Sequence, residues 1–238
     1  MKPVLILEHQ LPENAAYLKT YLENHNIPFV IYNTDVNQYF PENIEPYSAL
    51  AIMGGSMSAN DPIYTSRQAE ILILQAIHCD IPVIGHCLGG QLISKALGGK
   101  ITKSYKPEIG WQPISYTDNE LTKAWFGNDP TDTVMHWHYE SFSIPKNATL
   151  LASSNACQNQ AFCIDKVLAM QFHIEIDSEK TVRWANDIDP VWDQAIIDYN
   201  TVQTKQQMLD GIDKHLNKHK QTADHIYSYW VSLINDKN

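Results

Sequence analysis

One stretch of this chain is well suited to covalent chemistry, Val83-Ile84-Gly85-His86-Cys87-Leu88-Gly89-Gly90-Gln91. The apolar residues Ile81–Ile84 read as a short buried strand, and Cys87–Leu97 reads as a helix that stops at Gly98-Gly99. Cys87 falls on the tight turn between them. Gly85 and Gly89 flank it two residues away on each side, so strand and helix can pack closely around a strained residue. A cysteine at a helix N-terminus feels positive partial charge, which favours the nucleophilic thiolate. The Leu88 amide would point at an oxyanion developing on an attacked carbonyl, and the Gly54-Gly55 turn could supply a second donor. The competing reading is a buried, inert structural cysteine.

A thiol nucleophile needs a base, and the base needs an orienting acceptor. His173 ends the apolar run Val167-Leu168-Ala169-Met170-Gln171-Phe172, and Glu175 follows two residues later. In extended backbone, residues i and i+2 share a face, so carboxylate and imidazole could enter one site. His136-Trp137-His138 is a second pair of histidines at this spacing. With His173 and Glu175 it could form a mixed metal site. Histidines at strand ends are more often hydrogen-bonded structure, so no metal is expected. The segment running on through Tyr139, Glu140, Ser141 and Phe142 reads instead as pocket lining.

The elements that must position these residues come in two styles. Val4–Leu7, Pro28–Tyr32, Ser48–Met53 and Ile81–Ile84 are apolar strands. Helices alternate with them, one over Leu11, Ala15, Leu18 and Leu22, and one over about Ser66–Cys79 with Ile71, Leu72, Leu74 and Ile77 apolar. This order predicts an α/β fold with a mostly parallel central sheet covered by helices on both faces. Both glycine turns would then lie at the C-terminal ends of parallel strands, where ligands bind. The middle of the chain reads as strands with few helices: Gln112–Tyr116, Thr133–Trp137, Thr149–Ala152, Ala161–Ile164 and Val167–Phe172. Beyond Asp177 the text is helical to the end, with an apolar stripe at Ala223, Ile226, Trp230 and Leu233. Residues 1–180 are expected to carry the chemistry, and 181–238 to form a helical extension packed on the same domain.

Composition bounds the function. The 238 residues are 44% hydrophobic and 18% charged, enough for a sizeable core, and the formal charge is −10. That balance argues against nucleic acid and anionic membranes as partners. The N-terminal apolar run is too short for a signal peptide, and no stretch approaches the roughly 20 residues of a membrane span. A cytoplasmic protein is expected, with Cys79, Cys87, Cys157 and Cys163 reduced and no CxxC zinc pair.

The elbow around Cys87 resembles the Gly-x-nucleophile-x-Gly turn of α/β hydrolases. Together, Gly85–Gln91, Gln171-Phe172-His173-Ile174-Glu175 and Gly54-Gly55 resemble the class I glutamine amidotransferases over roughly residues 1–180. Glu108-Ile109-Gly110-Trp111, Trp137-His138 with Phe142 and Pro145, and Asn159-Gln160-Ala161-Phe162 are similar to stand-alone, GMP-synthase-like members. The resemblance implies that family's flavodoxin-like fold, with a small additional β segment. It implies a Cys87–His173–Glu175 triad and an oxyanion hole from the Gly55 and Leu88 amides. Substrate contacts would come from Gly54, Gln91, Tyr139 and Glu140. At the last two this chain departs from the GMP synthase pattern His-Gly-Asp and has His138-Tyr139-Glu140. The implied substrate is L-glutamine or a γ-glutamyl compound, with no cofactor.

Only about sixty residues follow Glu175, fewer than the ~100–150 of a typical domain, and no GxxxxGK[ST] phosphate loop occurs. On this reading the chain is not expected to make GMP unaided. Three readings follow: a glutaminase that passes ammonia to a separate synthase subunit, a free-standing γ-glutamyl hydrolase or peptidase, and a non-catalytic regulatory or binding protein on this fold.

Overall fold

A computed structural model describes residues 1–12, 14–187 and 190–234. The elements run, in order, β1 (Val4–Glu8), α1 (Ala16–Asn24), β2 (Phe29–Asn33), α2 (Thr34–Asn37), β3 (Ala49–Ile52), α3 (Tyr64–His78), β4 (Val83–His86), α4 (Leu88–Ala96), β5 (Ile101–Pro113), β6 (Ser115–Tyr116), α5 (Glu120–Phe126), β7 (Thr133–Phe142), β8 (Thr149–Ser153), β9 (Ala161–Ile164), β10 (Val167–Met170), α6 (Ser178–Ala185), α7 (Pro190–Asp198) and α8 (Lys205–Ser232).

Eight strands make one sheet in the order β2-β1-β3-β4-β10-β9-β8-β6. The first five are parallel, with Val4 opposite both Phe29 and Ala49, and Val83 opposite both Leu50 and Val167. β9, β8 and β6 continue it antiparallel. The order β2-β1-β3-β4-β10 is that of flavodoxin-like sheets, whose topological switch lies between β1 and β3. β1, β3, β4 and β10 are buried along their whole length, as strands covered on both faces must be. Alternation along β1 sorts its side chains. Val4 and Ile6 join a core with α1, α5 and α8, and Leu5 and Leu7 join one with α3 and α4.

β5 and β7 form a separate two-stranded antiparallel ribbon with a register shift between Lys103 and Glu108. Its faces differ. Ile109, Trp111, Met135 and Trp137 pack with α6, α7 and α8 in a third cluster. His136 contacts Phe172, and Phe142 contacts Phe162, on the side of the main sheet. The 28-residue helix α8 begins with a capping box in which Thr204 and Gln207 each bond the other's backbone amide. Ala223, Ile226, Tyr227 and Trp230 are completely buried in the core that holds Val4 and Ile6. Each large side chain so buried contributes about 1.5–3 kcal/mol. No helix among the described residues is long and apolar enough to cross a membrane.

The mostly parallel α/β fold expected from the strand–helix alternation is the one found, with differences in detail. Leu11 lies outside α1 and is exposed, because the chain turns before the helix starts at Ala16. Ile71 and Leu74 of α3 face outward, and Leu72, Ile73 and Ala76 make its buried stripe. The strand expected at Gln112–Tyr116 is the end of β5 plus the short β6, and β7 runs five residues past Trp137. β10 ends at Met170, so His173 is not on a strand. It meets Met135 in an isolated bridge, its amide donating to the Met135 carbonyl at 2.9 Å. Residues 235–238 of the tail expected to be helical lie outside the described residues.

Candidate active site

β4 delivers the chain to Cys87, which has φ 49° and ψ −106°. A positive φ on a non-glycine residue costs on the order of 1–3 kcal/mol. Two backbone bonds hold it there: the Cys87 amide donates to Met170 at 2.9 Å, and its carbonyl accepts from Gln91 at 3.0 Å. The flanking glycines are required by contact. A Cβ on Gly89 would lie 2.1 Å from the Ile52 carbonyl oxygen, and one on Gly85 would lie 2.6 Å from the Gly89 carbonyl carbon. The start of α4 is therefore pressed against the end of β3, which brings the turn after β3 beside the cysteine.

In that turn a Cβ on Gly54 would fall 2.9 Å from His173 Cε1 and 3.7 Å from Cys87 Cβ. One on Gly55 would meet Leu88 Cδ2 at 2.9 Å. The two glycines expected to serve the oxyanion thus lie against the elbow.

His173 Nδ1 and Glu175 Oε1 are 2.7 Å apart, and the His173 ring also bonds the Cys87 side chain. Burial alone would disfavour imidazolium, but the Glu175 carboxylate and the Cys87 sulfur outweigh it and lift His173 to about 9. Glu175 is fully buried. Burial would raise its pKa, but Lys180, His173 and His86 hold it well below the usual carboxylate range. Lys180 is a residue that sequence reasoning missed. Its ammonium, also buried, donates to Glu175 Oε1 at 3.0 Å and to the Asn14 carbonyl at 3.0 Å. Nothing in the helical text of α6 distinguishes it from a solvated lysine.

A cavity of about 540 Å³ opens over the cysteine. Cys87, His173, Gly55, Leu88, Gln91, Tyr139 and Glu140 line it as expected, whereas Gly54 and Glu175 are not among its lining residues. Two of the expected substrate contacts are already engaged with the protein. Gln91 Nε2 donates to the Glu140 carbonyl at 3.2 Å, and Glu140 Oε2 accepts from Ser58 at 2.7 Å. Gln171 Nε2 lies 3.7 Å from the Cys87 sulfur, and the Trp137 carbonyl lies 3.6 Å from it. Gln10, Met57, Ser58, Trp137, Trp184 and Asp187 complete much of the wall. The Trp184 ring meets the His173 ring edge-on at 4.7 Å between centroids.

The mixed grouping of His136 and His138 with His173 and Glu175 does not form. Among the described residues, the metal-capable side chains that converge are Glu108, His136 and His138, with ligand atoms within 4.8 Å of one another. The cross-strand register of the ribbon, which pairs Glu108 with His138, is the reason.

The sequence profile named "Glutamine amidotransferase class-I" matches residues 14–184, which spans the elbow, His173, Glu175 and Lys180. A glutamine amidotransferase-like protein of Salmonella typhimurium, YfeJ, is 31% identical over 188 residues, 75% of this chain and 77% of that protein. Gamma-glutamyl peptidase 3 of Arabidopsis thaliana is 29% identical over 154 residues, 60% of this chain and 61% of its own length. A crystal structure of a glutamine amido transferase from Methylobacillus flagellatus superposes with a TM-score of 0.91 at 31% identity, covering 100% of this chain and 97% of that one. With the match spanning the elbow and the His-x-Glu segment on the fold just described, the chain belongs to the class I glutamine amidotransferase family.

Proposed function

We propose that this chain hydrolyses the side-chain amide of L-glutamine and releases ammonia for a separate synthase. The observation that carries the reading is the hydrogen-bonded chain from Cys87 through His173 to Glu175, which opens into a cavity that Gly55 and Leu88 also line. The Cys87 thiolate attacks the amide carbonyl carbon, and the carbonyl oxygen becomes an oxyanion facing the two amides. The imidazolium of His173 gives its proton to the departing nitrogen, the C–N bond breaks, and a γ-glutamyl thioester remains. Neutral His173 then takes a proton from water as the water attacks, and the C–S bond breaks to release glutamate. Glu175, held ionised by Lys180, keeps the His173 ring oriented through both steps. Residues 1–180 carry this chemistry in our reading, and the helices that follow form an extension that supports the Trp137–Glu140 wall.

A second reading, a γ-glutamyl peptidase using the same three residues, is favoured by the cavity. Its volume lies within the roughly 300–1,000 Å³ of sites for drug-sized ligands and leaves room for an amine leaving group. The Arabidopsis relative is a named peptidase of this kind.

The test is ammonia release from L-glutamine by the purified chain, run beside release of aniline from a γ-glutamyl anilide, with Cys87→Ala as control. Cys87-dependent ammonia release supports the glutaminase. Cleavage of the anilide without glutamine turnover selects the peptidase. Turnover that survives Cys87→Ala overturns both.

A further inference from the structure

We propose that Glu108, His136 and His138 form a divalent-metal site, Zn²⁺ being the ion their chemistry suits, buried beneath the Trp137–Glu140 wall of the cavity. Two imidazoles and one carboxylate are a common donor set for that ion. The antiparallel ribbon places Glu108 directly opposite His138, and His136 lies two residues back on the same face. All three side chains are buried, and one ligand atom from each lies within 4.8 Å of the others.

Two details argue for a cation rather than ordinary polar packing. His138 Nδ1 lies 3.2 Å from the Glu140 carbonyl, so that nitrogen carries the proton and donates it. Nε2 is then left as the ligand nitrogen, the tautomer a second-shell carbonyl normally selects. Nε2 lies 3.2 Å from Glu108 Oε2. A tetrahedral ion with bonds of 2.0–2.2 Å separates its ligand atoms by roughly 3.3–3.6 Å. The second detail is His136. It is wholly buried, and neither ring nitrogen has a hydrogen-bond partner among the described residues.

The surroundings are those of a supported ligand set. Glu108 Oε1 accepts from Ser154 at 2.7 Å and Oε2 accepts from Gln160 at 2.6 Å, so the carboxylate is fixed by the connection between β8 and β9. An ion here would pin the segment between His138 and Glu140. The Glu140 carbonyl accepts from both His138 and Gln91, and the Trp137 carbonyl lies 3.6 Å from the Cys87 sulfur.

The experiment titrates the chelator-treated full chain with Zn²⁺ against a competing indicator and records the visible spectrum of its Co²⁺ form. One equivalent is expected, with the band pattern of tetrahedral nitrogen and oxygen ligands and no thiolate charge-transfer band. Glu108→Gln, and His136→Phe, which keeps a ring against Phe172, should each weaken binding by at least tenfold. Gln160→Met, which removes the donor to Glu108 Oε2 but no ligand group, should weaken it about 10–100-fold. Cys87→Ala should leave binding intact. The wild-type spectrum alone decides the matter if a ligand variant fails to fold. A thiolate band, loss of the equivalent in Cys87→Ala, or no stoichiometric Zn²⁺ binding would overturn the proposal.

Discussion

Replacing Lys180 by Met keeps an unbranched stem as far as Cε and removes one charge from the centre of the site. In the native protein the Glu175 carboxylate faces Lys180 at 3.0 Å and His173 at 2.7 Å, with all three side chains buried. At an effective dielectric of about 20, the Lys180 contact amounts to ~5.5 kcal/mol of attraction before desolvation is counted. Removing one partner of a buried pair typically costs about 3–5 kcal/mol, because the other charge is left without compensation. For a chain of this size that is a fall in Tm of roughly 6–20 °C near pH 7.5. The sign of the pH dependence follows from Glu175. Its pKa is depressed, so its ionised form stabilises the fold above the unfolded carboxylate range and ceases to do so as pH falls through the depressed value. Lys180→Met raises that value. The stability gap between variant and wild type should therefore narrow in acid, and the acidic limb of kcat/KM should move to higher pH. Calorimetry across pH and a pH–rate profile read both. A variant that melts within about 1 °C of wild type at pH 7.5 with an unmoved acidic limb would refute the ion-pair argument.

Gly54→Ala should lower kcat/KM by about 10²-fold with a small change in Tm, since its Cβ would meet His173 Cε1 at 2.9 Å and displace the ring; steady-state kinetics beside a melting curve test this. His173 is raised to about 9 against burial by Glu175 and Cys87, so it stabilises the fold fully below about pH 6.5 and less as pH rises through 9. His173→Gln should remove a contribution on the order of 3 kcal/mol from that window and flatten Tm against pH between 6.5 and 9.5. Trp230→Ala should cost about 3–5 kcal/mol, since the ring is wholly buried in the core shared by β1 and α8, while activity per folded molecule persists; chemical denaturation and active-site titration measure the two separately.

How much of this the sequence discloses depends on the range of the interactions. The elbow was legible because its requirements are local: a strand, a turn, small residues at Gly85 and Gly89, then a helix. His173 and Glu175 were legible as a pair, although not by the geometry first assigned to them, because the segment after β10 is bent and not extended. The Gly54-Gly55 turn lies against the elbow, a Cβ on Gly55 falling 2.9 Å from Leu88 Cδ2. Lys180 was hidden because its burial comes from contacts with Asn14 and Glu175, distant in the chain or on another element, and nothing in Ser178–Ala185 announces it. The first half of β5 was hidden for a related reason. Its Lys-rich text follows no simple alternation, and its pairing with β7 is broken by an irregularity. The grouping of Glu108 with the two histidines likewise depends on that cross-strand register.

The wall of the cavity has an optical consequence. Of the six tryptophans in the chain, Trp137 and Trp184 line the cavity, and Trp192 meets Trp137 at a tilt of 58° with ring centroids 5.1 Å apart. Trp184 meets the His173 ring at 4.7 Å and has the Lys180 ammonium 5.2 Å from its own ring, so two groups of the charge network lie within quenching range of one indole. A proton leaving His173, or an acyl group arriving on Cys87, changes the electric field at that indole. On the proposed mechanism the protein therefore carries its own fluorophore beside Cys87, and formation and decay of the acyl-enzyme should register in stopped flow without any label.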